Sequence, residues 1–472
     1  MVERLLCSRL LMENQVLEYL RKVVGSRNVL FSSEDVYPYS LDASIPHPQY
    51  AVMPAFVVRP HTTDEVASVV AFADSERIPV VPRGGGTNLV GGVLPVENGI
   101  VLDLTGMNKI TAINTSDLTC TVEAGVVHND LENELAKYRL FWPPDPGSTD
   151  ACTLGGVLAM NAGGMRALKY GTSRDWVLGL RVVLPTGEVI RTGATTLKSN
   201  VGYDLTRLVV GSEGTLGVIT EADLKVRPLP ETTARLAVFF DDIDAAGAAV
   251  SKIFESGVTP VIVELVDRNI ITATNEWLHR GFREAEAYML VDIDGTKEEV
   301  ENATGNVERI LREAGAQDAR RASTKDGMAE LWVIRSEGAT ALPRVTGKMN
   351  ITHDICVPLS RLPEAFRRIR ELAQKWGIHV ALISHAGDGN IHPIFSADLN
   401  DSEEMSRARK LNEEMCRMAL SLGGTISGEH GIGLDKADLM REECGDSALR
   451  LMREIKRVFD PNNIMNPGKM GL

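Results

Sequence analysis

The chain has 472 residues, 44% of them hydrophobic, with 42 glycines and a formal net charge of -14 at pH 7. Such a length exceeds one ordinary domain, and the balanced apolar fraction builds packed cores, which excludes a fibrous or disordered protein. The acids are spread along the chain and leave no basic stripe for nucleic acid or an anionic bilayer, so small molecules are the expected ligands.

The first twenty residues, MVERLLCSRLLMENQVLEYL, set Glu3, Arg4 and Arg9 among leucines. They read as an amphipathic helix inside an N-terminal segment 1–49, not as a secretory signal. No apolar run approaches the roughly 20 residues that cross a bilayer. Six cysteines (Cys7, Cys120, Cys152, Cys356, Cys416 and Cys444) lie far apart with no C-x-x-C spacing. Neither a disulfide framework nor an iron–sulfur ligand set is expected, and the location reads as cytoplasmic.

The stretches AFVVRP (55–60), TTDEVASVVAFADSERI (62–78) and PVVP (79–82) predict strand, helix and strand, with Thr62 or Thr63 as the helix cap. Strand-like runs follow at 100–104, 119–126, 178–190 and 216–230, separated by glycine-rich turns. Past Pro228 and Pro230 the pattern changes to strands alternating with helices that start near Asp244, Lys297 and Arg361. This predicts an α+β protein: a first domain over 50–229, a second with antiparallel sheet over 230–420, and a closing segment 421–472, helical around 434–458, that returns to the first.

Three glycine-rich stretches punctuate the first half: PRGGGTNLVGG (82–92), DPGSTDACTLGGVLAMNAGG (145–164) and VGSEGTLGVITEA (210–222). Gly84, Gly85 and Gly86 leave a strand with no Cβ to shield their N–H groups, a nest suited to pyrophosphate. The next element is a strand near 100–104, which excludes a Rossmann loop, and no G-K-[ST] follows, which excludes a P-loop.

In the second half, HAGDGNIH (385–392) and GEHGIG (428–433) gather three imidazoles and a carboxylate into two glycine-framed turns. A two-residue turn at Asp388 and Gly389 would pair His385 with His392 across a hairpin. With Glu429 they make three ligands for one metal ion and leave coordination positions open, while His430 is the candidate base.

The three glycine stretches, in this order and with these strands between them, resemble the vanillyl-alcohol oxidase or PCMH-type FAD family. With the two histidine turns and the closing FDPNNIMNPGK (459–469), nearly the whole chain resembles its D-lactate, glycolate and D-2-hydroxyglutarate dehydrogenase branch. The resemblance implies a PCMH-type FAD-binding domain of two α/β subdomains and an α+β cap domain. It places FAD against Pro82, Gly84, Gly85, Gly86, Thr87, Asn88, Gly91 and Gly92; against Pro146, Gly147, Thr153, Gly155, Gly156, Asn161, Gly163, Gly164 and Gly171; and against Gly217 and Ile219. Thr87 stands where covalent relatives carry a histidine, so the flavin is expected to be non-covalent.

The resemblance also implies Zn or Mn on His385, His392 and Glu429, His430 as base and Arg335 for the substrate carboxylate; taken alone, Arg335 reads equally well as a surface arginine. The expected reaction is hydride transfer from a small D-2-hydroxy acid, D-lactate or glycolate, to flavin N5. Electrons then pass to an external acceptor: an electron-transfer flavoprotein, an iron–sulfur subunit, a quinone or a cytochrome. A flavin-carrying subunit inactive alone, a D-2-hydroxyglutarate dehydrogenase and an ether-lipid synthase are the alternatives. A homodimer, and peripheral attachment to a membrane through a partner, also fall within this reading.

Overall fold

The computed structural model describes residues 14–45 and 52–472. The amphipathic helix expected at the N-terminus lies outside the described residues through residue 13; residues 14–24 are helical and bury Val16, Leu17, Leu20 and Val24. Two compact units divide the chain.

The first unit comprises the described residues through Ala162, then Thr172–Pro228 and His430–Leu472. Strands β1 (Val29–Leu30), β2 (Phe56–Val58), β3 (Val80–Arg83) and β4 (Ile100–Asp103) make a sheet in the order β1-β2-β4-β3, with β2 and β3 both parallel to β4. Helix Thr63–Glu76 links β2 to β3; Thr62 Oγ1 accepts from Glu65 N at 3.2 Å, and Val66, Val69, Val70 and Ala73 fill the core. The expected strand–helix–strand is present, with β4 inserted between its strands. Next come β5 (Ile110–Asn114), β6 (Thr119–Glu123), β7 (Leu140–Phe141), β8 (Val177–Val183), β9 (Val189–Gly193), β10 (Val218–Lys225) and β11 (Arg227–Pro228). An antiparallel sheet runs β5-β6-β10-β8-β9, and β7 pairs with β11.

Helix Met440–Phe459, broken at Gly445 (φ 74°), leads to a tail laid beside β3: Val80 N donates to Ile464 O at 2.7 Å and Asn466 N to Val80 O at 2.8 Å. Buried Lys456 fastens that tail, donating to the carbonyls of Thr215 and Met465 while paired with Asp460.

The second unit, Gly163–Gly171 with Leu229–Glu429, is built on one antiparallel sheet. Its strands are β12 (Thr232–Phe240), β13 (Ile262–Asp267), β14 (Ala287–Gly295), β15 (Gln317–Ala322), β16 (Met349–Thr352), β17 (Ile355–Cys356), β18 (His379–His385) and β19 (Asn390–Ala397). The order is β15-β12-β14-β13-β18-β19-β16, with β17 paired to β19. Helices Arg268–Leu278 and Lys325–Thr346 cover one face through Ile270, Ile271, Ile334, Ala341 and Leu342, which meet Phe239, Val266, Tyr288, Leu290, Ile383 and Ile394. Ladder pairing puts Arg235, Asp292, Glu264 and His385 on the same face, toward one edge of this apolar area. Arg235 and Asp292 form a bidentate pair at 2.7 and 2.6 Å, and Arg235 Nη1 donates to Met328 O at 2.8 Å. Lys169 and Tyr170 both bond Asp294, which anchors the segment Gly163–Gly171 to this sheet. Among the described residues no helix is long and apolar enough to cross a membrane.

Asp267 caps helix Arg268–Leu278, accepting from Ile270 N at 3.2 Å, and is 2% exposed. Burial pushes its carboxyl up to about 6 against the backbone N–H groups of Leu382 and Ile270. Folding therefore favours the neutral acid. The stability it lends is full below about pH 4 and is lost as pH rises through 6, a change of about 3 kcal/mol. In Asp267→Asn, the loss of unfolding free energy between about pH 4 and pH 7 should shrink by about 2–3 kcal/mol in urea titrations. An unchanged difference would mean that Asp267 titrates alike in both states.

Candidate active site

Strands β18 and β19 pair His385 with Asn390, Ser384 with Ile391 and Ile383 with His392. The two-residue turn expected at Asp388 and Gly389, which would set His385 opposite His392, is replaced by a four-residue loop, 386–389. Its backbone is committed elsewhere: Gly387 N donates to Val263 O at 3.0 Å, and Gly389 O accepts from Val357 N at 3.0 Å. Asp388 Oδ1 closes the turn by accepting from Asn390 N at 3.2 Å. The register moves by an even number of residues, so both imidazoles still leave the same face, as diagonal neighbours. Their ring centroids are 4.9 Å apart and their planes meet at 81°.

Glu429 Oε1 lies 3.6 Å from His385 Nε2 and 3.2 Å from His392 Nε2, and one ligand atom from each of the three residues lies within 4.8 Å of the others. The opposite nitrogens are held from behind: His385 Nδ1 by Glu264 Oε1 at 2.5 Å, His392 Nδ1 by the His353 carbonyl at 3.2 Å. Glu429 N donates to Asp354 Oδ2 at 3.1 Å, and Ser427 Oγ donates to the same oxygen at 2.6 Å. Two imidazoles and a carboxylate, with both Nδ1 atoms engaged and both Nε2 atoms aimed at one point, fit a divalent cation of the Zn or Mn type.

Glu264, in the middle of β13, joins this trio to Arg335. Its other oxygen accepts from Arg335 Nε at 2.5 Å, and its side chain is 1% exposed. Burial works against the Glu264 carboxylate, but His385 and Arg335 outweigh it and hold it below the usual range. Burial likewise disfavours a charged His385, yet Glu264 and Glu429 hold its imidazole well above the ordinary 6.5. Arg335 is thus no solvated surface arginine. It sits on helix Lys325–Thr346 with its side chain 19% exposed, beside the Trp332 ring that also carries Arg235 at 4.2 Å. No described residue accepts from its Nη1 or Nη2, so the end of the guanidinium fork remains available for a carboxylate.

His430 follows Glu429 in the chain but belongs to the first unit. The flavin-type segments lie largely there. Among the described residues none accepts a backbone hydrogen bond from Gly85, Gly86 or Thr87. The loop is braced from within: Asn88 Oδ1 accepts from Val90 N at 3.0 Å and Gly92 N at 2.6 Å. A Cβ on Gly84 would strike the Thr153 side chain, whose buried Oγ1 has no partner, and one on Gly85 would strike the Ala151 carbonyl. Open N–H groups beside an orphaned hydroxyl fit a phosphate group.

The second stretch is helical over part of its length. Residues Leu154–Met160 form a helix in which Gly155 packs against Ala124, and Asn161 (φ 51°) ends it. Asn161 Oδ1 is already taken by Thr172 Oγ1 and Arg174 N, both at 2.9 Å, which leaves its NH2 for a ring edge. Pro82 is a β3 residue and Gly147 has open space around it, whereas Gly163, Gly164 and Gly171 fall in the second unit. In the third stretch a Cβ on Gly217 (φ 155°) would strike the Val183 carbonyl, and Ile219 is part of the core. Glu264, Asp354 and Glu213 were not singled out from the sequence. A lone acid inside the apolar run PVIVELVD was the available signal for Glu264.

Residues 54–193 match the family described as FAD binding domain, and residues 229–470 the family FAD linked oxidases, C-terminal domain. The chain is 40% identical over 456 residues to "Glycolate oxidase subunit GlcD" of Bacillus subtilis (strain 168), covering 96% of both. It is 35% identical over 462 residues to "D-lactate dehydrogenase" of Anaerostipes hadrus, covering 95% of this chain and 96% of that one. Among solved structures, p-cresol methylhydroxylase superposes with a TM-score of 0.79 at 19% identity over 97% of this chain and 96% of its own. An alkyldihydroxyacetonephosphate synthase gives 0.76 at 21% identity over 96% and 84%. At these identities the likeness is one of fold, and the fold is the PCMH type joined to an α+β unit. Fold and family together define an FAD-linked oxidoreductase. The chain belongs to the FAD-linked oxidase family and is of the GlcD and D-lactate dehydrogenase type.

Replacing Glu264 by Gln keeps its size and removes the charge that orients His385. Divalent-cation affinity should fall about 10–100-fold, with FAD content unchanged because the phosphate-type loop belongs to the other unit. Because Glu264 and Glu429 raise the His385 imidazole well above its ordinary 6.5, cation uptake on Nε2 near neutral pH should also release a proton from wild-type protein. Calorimetric titration in buffers of different ionisation enthalpy reads both; equal affinities would show that Glu264 does not serve the site.

Proposed function

We propose that the protein is an FAD- and divalent-metal-dependent dehydrogenase that oxidises a small D-2-hydroxy acid, D-lactate or glycolate, to the 2-oxo acid. Its electrons go to an external acceptor. The observation that carries this reading is the linkage of a two-imidazole, one-carboxylate site to an arginine fork through one buried carboxylate, Glu264. A 2-hydroxy acid presents a hydroxyl and a carboxylate on adjacent carbons, which suits a polarising centre with a guanidinium nearby.

Bound FAD would supply the two-electron acceptor, and a cation on His385, His392 and Glu429 would supply Lewis acidity at the substrate hydroxyl. The chain's own groups do the rest. Arg335 offers Nη1 and Nη2 to the substrate carboxylate while Glu264 fixes Nε, which limits the approach to the end of the fork. A ring nitrogen of His430 accepts the hydroxyl proton as C2 gives up its hydride. Gly84 to Thr87, with Thr153, would hold the pyrophosphate, and Thr87 would leave the flavin without a covalent link.

Partner subunits form part of the proposal, because relatives of this length are named as subunits of glycolate oxidase. The spaced cysteines leave no relay of this chain's own, and a cytoplasmic site, with or without attachment through a partner, follows from the same reading.

Anaerobic mixing with a panel of D- and L-2-hydroxy acids tests the proposal through the loss of flavin absorbance. D-lactate or glycolate should bleach the flavin, simple alcohols should not, and prior chelation should stop bleaching while FAD stays bound. Bleaching by alcohols at the same rate would contradict the carboxylate-directed reading. In His430→Ala the rate should fall about 10²–10⁴-fold with metal and FAD retained; wild-type speed would remove His430 from the reaction.

A further inference from the structure

Glu213 lies in the third glycine-rich stretch, among residues that turn sharply toward β10, and it adopts φ 53°. A non-glycine residue rarely takes this conformation, and Gly211, Gly214 and Gly217 beside it show that glycine is the easy solution in such a turn. A side chain is kept there at a cost, and it is 5% exposed.

Both carboxylate oxygens reach the turn that carries His430. Oε1 accepts from Ile432 N at 2.7 Å and Oε2 from Gly433 N at 2.8 Å. Gly431 (φ 84°) passes so close that a Cβ would strike Met160 Cε and come within 2.8 Å of Glu213 Oε1, and one on Gly433 would strike the Val90 carbonyl. Val90 O also accepts from Leu434 N at 2.8 Å. Glu213 itself is tied to the other glycine segments: its N–H donates to Ala159 O at 2.9 Å, and its carbonyl accepts from Asn466 Nδ2, which also donates to Gly92 O at 2.9 Å. Burial pushes the Glu213 carboxyl above its ordinary range, and those two backbone N–H groups, then Lys469 and Lys436, offset part of that rise.

We infer that Glu213 is a positioning residue, whose two oxygens fix the His430 turn onto the frame made by residues 88–92, 154–160 and 210–217. The inference rests on the proposed reading of His430 as the base, and Glu213 acts through that residue without touching substrate. An amide at this position satisfies one of the two N–H donors and presents its own NH2 to the other, so Glu213→Gln loosens the turn with little change in volume.

The test is a double-mutant comparison on the FAD-loaded enzyme, reading the limiting rate of anaerobic flavin reduction by the substrate that bleaches wild type, together with the half-saturating concentration. Glu213→Gln should slow reduction about 10–100-fold, the scale of a displaced catalytic group, at unchanged half-saturation and FAD content. Added to His430→Ala, it should change the rate less than about twofold, because the group it positions is gone. Glu213→Asp, which retains both acceptors on a shorter arm, should recover part of the loss. Equal losses in both backgrounds would overturn the inference alone. Loss of FAD from both Glu213 variants would also overturn it, making the residue a prop of the first unit. Wild-type reduction in His430→Ala would overturn the base reading and this inference together.

Discussion

The second unit is organised around a carboxylate that an isolated side chain could not keep charged. Glu264 occupies a central strand of the eight-stranded sheet with its side chain 1% exposed. Removing an ionised carboxylate from water costs several kcal/mol, and loss of one partner from such a pair typically costs about 3–5 kcal/mol. Glu264 is tolerable only because His385 and Arg335 each take one of its oxygens. The same two bonds aim the Nε2 atom of His385 toward Glu429 and leave the end of the Arg335 fork uncommitted. Burial of one group thus sets the orientation of the candidate metal ligand and of the candidate carboxylate receptor.

A like arrangement recurs at smaller scale around the turns. The loop 386–389 is fixed by backbone bonds to Val263 and Val357, and the turn after His430 by bonds to Glu213 and Val90. In both cases glycines permit close approach, and polar atoms from distant segments decide where the backbone rests. His385 and His392 are strand residues and Arg335 a helix residue, whereas Glu429 and His430 sit on irregular backbone that buried carboxylates hold in place.

Much of this was legible in the residues. Period and capping placed the helix after Thr62, and its cap accepts from Glu65 N as the spacing requires. The histidine turns could be read because imidazoles and a carboxylate framed by glycines are uncommon in a chain with nine histidines. The hairpin register was not legible, because it depends on Gly387 bonding β13, a strand more than a hundred residues away in sequence, whereas turn rules see only the local residues. Asn161 illustrates the same limit: its oxygen is used by Thr172 and Arg174, a contact that no spacing announces. Glu264 was a visible oddity, an acid in a valine-rich strand, yet its partners arrive from a later helix and a later strand.

X-ray absorption at the metal edge of purified, metal-loaded protein tests most directly the claim that these side chains form one metal centre. It should show one ion per chain with imidazole nitrogen and carboxylate oxygen neighbours at about 2.0–2.2 Å for zinc, and the imidazole scattering should weaken in both His385→Ala and His392→Ala. A sulfur shell, or an ion whose surroundings are the same in those variants, would contradict the account.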